Sequence, residues 1–144
     1  MINILKISLR VNSTIADALG AIDVGAIRIA LVVDNDNKLL GTLSDGDIRR
    51  GLLGKKFLND TIEDIYFRSP ITANKNTSKK DLLDLCIANK IGQIPIVDKD
   101  LKTIDLFVVD DELSKRQYEN HVVLMVGGLG TRLRPLTENT PKPM

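Results

Sequence analysis

The stretch NSTIADALGAIDVGAIRIALVVDNDNKLLGTLSDGD, residues 12–47, has a counterpart 64 residues on, NTSKKDLLDLCIANKIGQIPIVDKDLKTIDLFVVDD, residues 76–111. Set one above the other without a gap, Asn12 meets Asn76, Ser13 meets Thr77, Asp17 meets Asp81 and Leu19 meets Leu83. Farther on, Ile27 meets Ile91, Val33 meets Val97 and Asp34 meets Asp98, and Asp36, Lys38 and Asp47 fall on Asp100, Lys102 and Asp111. The agreement lands on helix starts, turns and apolar positions together, which marks an internal duplication.

Each copy has the same order of elements. In the first, Ser13 or Thr14 can cap a helix over 15–24, where Ile15, Ala18, Leu19 and Ile22 recur at helical spacing. A nearly all-apolar run over 27–33 predicts a buried strand, the cluster Asp34-Asn35-Asp36-Asn37 a turn, and 38–43 a second strand. Ser44 then opens a helix to about Leu53. The second copy predicts a helix over 78–89, strands over 93–97 and 103–108, and a helix over 110–118. Helix, hairpin, helix, twice over, gives an α+β fold. Each small sheet needs cover, and two such units packed face to face supply it.

This order, the strand ending in Val-Asp and the segment Gly41-Thr42-Leu43-Ser44-Asp45-Gly46-Asp47-Ile48-Arg49-Arg50 resemble a tandem pair of CBS domains, a Bateman module. The resemblance covers about residues 7–118. It divides the chain into a first repeat over 1–66, a second over 67–119 and a remainder over 120–144. It also implies a regulatory role, with an adenosine nucleotide (AMP, ADP or ATP) bound between the halves, and a homodimer formed through the repeats.

In that family a Ser or Thr followed three residues later by Asp contacts ribose and phosphate; Ser44 and Asp47 stand at those places. A carboxylate can accept from both ribose hydroxyls, and a hydroxyl at a helix N-terminus can donate to phosphate. Arg49 or Arg50 could reach a phosphate, and Gly41 would let the chain approach the ligand closely. The same Ser-x-x-Asp also reads as a capping box that needs no ligand. In the second copy Gly41 becomes Asp105 and Ser44 becomes Val108, with Asp111 kept. Val108 cannot donate to phosphate, and Asp105, Asp110, Asp111 and Glu112 would repel it. The expectation is at most one occupied nucleotide site per chain, with its ribose contacts supplied by the first repeat, and the second cleft vacant or structural.

The chain ends in GGLGTRLRPLTENTPKPM, residues 127–144, preceded by the apolar run HVVLMV. A strand, a glycine turn and ordered basic residues in this pattern resemble the opening signature of the sugar-1-phosphate nucleotidyltransferases, on the mannose-1-phosphate guanylyltransferase-like side. The resemblance implies a nucleotide loop at Gly127, Gly128, Gly130 and Thr131, with Arg132 and Lys142 neutralising phosphate charge. The magnesium-binding acids of such an enzyme would lie beyond residue 144, so these residues alone are not expected to catalyse transfer.

Composition narrows the remaining classes. A formal charge of +1 and the absence of Trp argue against nucleic-acid binding. One cysteine, Cys86, excludes an intrachain disulfide, and its spacing with Leu82, Leu83 and Leu85 reads as core. His121, the single histidine, lacks a companion ligand for a metal. No leader or membrane span is legible, so a soluble cytoplasmic protein is expected. Two functions of different class follow: a nucleotide sensor that regulates a transferase, or a ligand-free module that assembles one.

Overall fold

The computed structural model describes residues 3–110. A 3-10 turn, Ile4–Ile7, leads into β1 (Ser8–Arg10), α1 (Ile15–Gly25), β2 (Ile29–Val33), β3 (Leu39–Ser44) and α2 (Asp45–Leu53). The second half follows as β4 (Ala73–Asn74), α3 (Lys79–Asn89), β5 (Gln93–Val97) and β6 (Thr103–Val108). The strands make two sheets, β1-β2-β3 and β4-β5-β6, each with its first pair parallel and its second antiparallel.

The duplication extends to backbone detail. A bulge between Val32 and Val33 recurs between Ile96 and Val97. Asp34 Oδ1 accepts from the N–H groups of Asp36 and Lys38, both at 2.9 Å, and Asp98 does the same for Asp100 and Lys102. Asn37 and Leu101 occupy equivalent places in these turns, each with φ of 62°. That region disfavours most side chains, and the fixed carboxylate turn holds Leu101 there against its preference. Ala26 and Lys90 likewise close α1 and α3 in the left-handed region.

Packing follows from the alternation along each strand. Val32 turns to the helix side, where it meets Ile15, Ala18, Leu43, Ile48 and Ile62. Ile29 and Leu31 turn the other way and pack with Ile7, Leu106 and Val108 between the two sheets. β2 is buried along its whole length because both of its faces are covered. Leu82, Cys86, Ile94, Ile96 and Phe107 form the helix-side core of the second repeat. The halves are also tied by polar contacts: the Gln93 amide donates to the Ile27 carbonyl at 3.0 Å, and Leu39 N–H to the Leu101 carbonyl at 2.8 Å.

Three features depart from the sequence expectation. β2 starts at Ile29 rather than residue 27, because Ala26 and Arg28 both take positive φ and interrupt the extended run. The parallel strands β1 and β4 are too short to leave a periodic signal. The connection between the repeats is also built into the first one. Leu58 and Asp60 carbonyls accept from Ala16 and Ile15, the first two donors of α1, both at 2.9 Å. Ile62 is fully buried, and Phe67 exchanges two backbone hydrogen bonds with Thr42 of β3, at 2.8 and 3.0 Å. The expected boundary between residues 66 and 67 falls inside this segment.

Candidate ligand cleft

Ser44 is the N-cap of α2, and Asp47 sits one turn in. The Ser44 N–H and hydroxyl both donate to Asp47 Oδ2, at 2.8 and 2.6 Å, and Asp47 N–H donates back to Ser44 Oγ at 3.2 Å. The other carboxylate oxygen takes the Arg50 guanidinium. Asp47 is thereby engaged on both oxygens, with its side chain only 18% exposed. Arg49 pairs instead with Asp45 at 2.7 Å and points to solvent.

The same geometry caps the other helices. At α1, Thr14 donates from N–H and hydroxyl to Asp17 at 2.9 and 2.8 Å, and Asp17 N–H returns a bond at 3.1 Å. At α3, Ser78 and Asp81 make the hydroxyl bond at 2.8 Å and the return bond at 3.2 Å. The motif singled out at Ser44 is thus one of three Ser/Thr–Asp N-caps among the described residues, and the reciprocal capping box forms at Thr14 as it does at Ser44. The Thr14 N–H and, next, its hydroxyl hold the Asp17 carboxyl below its ordinary value.

Gly41 lies against the connection between the repeats. A Cβ there would run into the Phe67 carbonyl oxygen and come within 2.5 Å of the Tyr66 ring. The glycine admits the 66–67 segment against β3. The Arg68 guanidinium sits over the Tyr66 ring, 5.0 Å from its centre. Tyr66, Ile62 and Ile65 close the region over β3 and α2 with apolar contacts.

The large open cleft lies in the second repeat. It has a volume of about 1180 Å³ and runs between the Ile4–Ile7 turn, the C-terminal end of α1, the β4–α3 connection and β6. Ile7, Leu82, Ile96, Leu106 and Phe107 give it an apolar wall. Asn74, Thr77, Lys6, Lys75, Lys79 and Asp105 bring its polar groups. Asp105 is turned to its own backbone, accepting from Leu106 N–H at 2.8 Å. Val108, the counterpart of Ser44, also lines the cleft. Of the acidic group expected to repel phosphate, Asp105 alone lines it; Asp110 does not, and Asp111 and Glu112 lie outside the described residues.

Gly127, Gly128, Gly130, Thr131, Arg132, Lys142 and His121 also lie outside the described residues. Within them, no group of three or more His, Cys, Asp or Glu could hold a metal, and no helix is long and apolar enough to cross a membrane. Cys86 is buried in the α3 core, and desolvation pushes its thiol up from the ordinary value.

The family model for the CBS domain matches residues 6–54 and 62–111. Inosine-5'-monophosphate dehydrogenase of Methanocaldococcus jannaschii is 26% identical over 110 residues, covering 74% of this chain and 21% of the relative. A probable arabinose 5-phosphate isomerase of Haemophilus influenzae is 33% identical over 92 residues, covering 62% and 27%. The chain therefore spans about a fifth to a quarter of the curated relatives it matches. Among solved structures, the CBS domain pair of protein MJ0100, in complex with 5′-methylthioadenosine and S-adenosyl-L-methionine, superposes with a TM-score of 0.68 at 25% identity, over 75% of this chain and 88% of that one. The CBS domain protein PAE2072 from Pyrobaculum aerophilum, complexed with AMP, gives 0.66 at 17% identity, over 77% and 89%.

Proposed function

Because the chain belongs to the CBS domain family and carries two copies of that domain, we propose that it is a regulatory module that senses an adenosine nucleotide in the second-repeat cleft. The observation that carries this is the contrast between the two copies. In the first, the Ser44 hydroxyl and Asp47 carboxylate are engaged in a helix cap and the face of β3 is covered by Tyr66 and Phe67. In the second, a cleft of about 1180 Å³ stays open, with an apolar wall for a base and basic groups for phosphate. The adenosine ligands of the MJ0100 pair and of PAE2072 support the choice of ligand class.

The enzyme under control, in this reading, is a sugar-1-phosphate nucleotidyltransferase. The support is the Gly127–Met144 signature, in which Gly127, Gly128, Gly130 and Thr131 would cradle the nucleoside triphosphate and Arg132 and Lys142 its charge. Magnesium belongs to that enzyme rather than to the module. Regulation requires that the nucleotide bind more tightly to one state of the attached enzyme than to the other.

A thermal-shift series with adenosine, AMP, ADP, ATP and GTP tests the sensor. A ligand at a hundred times its dissociation constant adds about 2.7 kcal/mol, enough to move the midpoint by several degrees. No shift with any adenosine compound would sink the reading.

One observation favours the assembly reading. Leu52, Leu53, Phe57 and Leu58, at and after the end of α2, are all exposed, Leu53 and Phe57 by 79% and 72%. Such a run is what a homodimer interface would cover. Sedimentation of the chain and of Leu53→Asp separates the two: a monomer in both cases would remove the assembly function.

A further inference from the structure

The outer strands β3 and β6 stand at equivalent places in their sheets, but their outer edges differ. Thr42 of β3 lies opposite Leu31, and its counterpart Leu106 of β6 lies opposite Pro95. Thr42 turns both backbone groups away from β2: its N–H donates to the Phe67 carbonyl at 3.0 Å and its carbonyl accepts from Phe67 N–H at 2.8 Å. Leu106 holds the same register, so its backbone groups also turn outward, and Pro95 across from it has no N–H to give. Leu106 lines the cleft. Asn3, the counterpart of Phe67, is folded into the Ile4–Ile7 turn, its carbonyl accepting from Lys6 N–H at 3.0 Å and its side chain from Leu5 N–H at 3.2 Å. The Leu106 N–H goes instead to Asp105 Oδ1 at 2.8 Å, a bond that Gly41 cannot supply in the first copy. Among the described residues the Leu106 carbonyl and the second Asp105 oxygen have no hydrogen-bond partner, and Asp105 forms no ion pair. An edge that offers a donor and an acceptor in the first copy thus offers acceptors alone in the second.

We infer that Asp105 sets the base specificity of this cleft, selecting a purine that carries a 6-amino group. This rests on the sensor reading above and deepens it. A base seated on the apolar wall of Ile7, Ile96 and Phe107 brings its polar edge to β6. The adenine amino group has two N–H donors, one for the Leu106 carbonyl and one for the free Asp105 oxygen. A 6-oxo purine sets a carbonyl oxygen against the same two acceptors and leaves all three desolvated without a donor, the mismatch that a polar site rejects most strongly. Asp105 also keeps the Leu106 N–H occupied, so that donor is closed to a 6-oxo group. One side chain, at a place where the first copy has glycine, therefore both supplies an acceptor and removes a donor.

The test is calorimetric titration of the whole chain with the 5′-monophosphates of adenosine, inosine, guanosine and purine riboside, the last lacking only the amino group. AMP is expected to bind about tenfold or more tighter than the purine riboside nucleotide, the loss that follows when a hydrogen bond to a carboxylate is removed. The inosine and guanosine nucleotides should bind more weakly still. Asp105→Asn keeps the side-chain shape and an acceptor for Leu106 N–H but turns the free oxygen into a donor, so it should narrow the gap between AMP and IMP. Asp105→Gly, which installs the residue of the first copy, should narrow it too, and the ligand-free melting midpoint of each variant shows that it is folded. Equal affinity for all four nucleotides, or GMP binding as tightly as AMP, would overturn the inference and leave a nucleotide sensor standing. A preference for AMP that survives both substitutions would overturn the assignment to Asp105. Binding of none of the four would remove the sensor reading, and this inference with it.

Discussion

Asp47→Ala separates a structural role from a ligand-binding one, and the geometry fixes which result to expect. The carboxylate accepts from the Ser44 N–H at 2.8 Å and from the Ser44 hydroxyl at 2.6 Å, and pairs with Arg50. Truncation leaves the Ser44 N–H without its acceptor at a part-buried helix start. Loss of such a cap costs about 0.5–2 kcal/mol, toward the upper end where the acceptor is ionised. The Arg50 side chain is 72% exposed, so its ion pair adds little. A total of about 2 kcal/mol should lower the thermal midpoint by roughly 8 °C in a domain of this size. Urea denaturation should show a lower midpoint with an unchanged slope. Nucleotide affinity, measured where the variant is folded, should stay within about twofold of wild type, because the second-repeat cleft is untouched. Asp17→Ala, at the matching cap of α1, should behave in the same direction. Full stability in Asp47→Ala together with lost nucleotide binding would refute this reasoning and restore Asp47 as a ribose ligand.

Three further outcomes follow from the same structure. Gly41→Ala drives a methyl into the Phe67 carbonyl and the Tyr66 ring, and should destabilise the chain by about 1–3 kcal/mol in urea denaturation; a neutral result would mean that the 66–67 segment does not rest on β3. Ile62→Ala removes a fully buried side chain from contact with Ile15, Val32, Leu43 and Ile48, and should cost about 2–5 kcal/mol by the same assay; a loss below about 1 kcal/mol would show that this connection is dispensable to the core. For Asp17, whose folded carboxyl is held below its ordinary value of about 3.9, the unfolded chain binds the proton more readily. Its contribution is therefore complete above about pH 4 and fades as pH falls through the folded value. Asp17→Asn should flatten the acid limb of a melting-temperature profile, and parallel limbs in the two proteins would contradict the assignment.

Much of this fold was readable because each copy repeats the same strong local signals. The helices over 79–89 and 15–25, the strands over 93–97 and 103–108 and the Asp34 and Asp98 turns all sit where periodicity and turn chemistry put them. The site was less readable, for a physical reason. Ser-x-x-Asp satisfies orphan donors at a helix start whether or not a ligand is present, so the motif at Ser44 carries the same local pattern as Thr14 and Asp17. What differs is tertiary: whether another part of the chain lies over the neighbouring strand. Gly41 offered a clue, since a residue without a Cβ marks a close approach, but the approaching group was Tyr66 and Phe67 of the same chain. The three lysines of the second cleft sit 69–73 residues apart at the extremes, too far for any local pattern to join.

Duplication lets the two copies diverge in what they do with one architecture. The first copy commits its cap, its glycine and the following connection to a closed, well-packed unit: Ile15 replaces a lysine position, Phe67 takes the place that Asn3 holds in the second cleft, and Ile62 completes the core. Closing that face strengthens the helix-side core at the cost of a binding surface. The second copy keeps the surface: the short Ile4–Ile7 turn covers β6 through Ile7 but stops short of filling the cleft beyond it. Because Leu106 and Val108 of β6 also pack against Ile29 and Leu31 across the sheet interface, a ligand seated against β6 would press on the contact that joins the halves. A sensor built this way needs one open cleft and one rigid half to push against, and the asymmetry between the copies provides both. Hydrogen exchange should then protect β6 and β2 together when ATP binds, whereas protection confined to β6 and α3 would mean that the signal stops at the cleft.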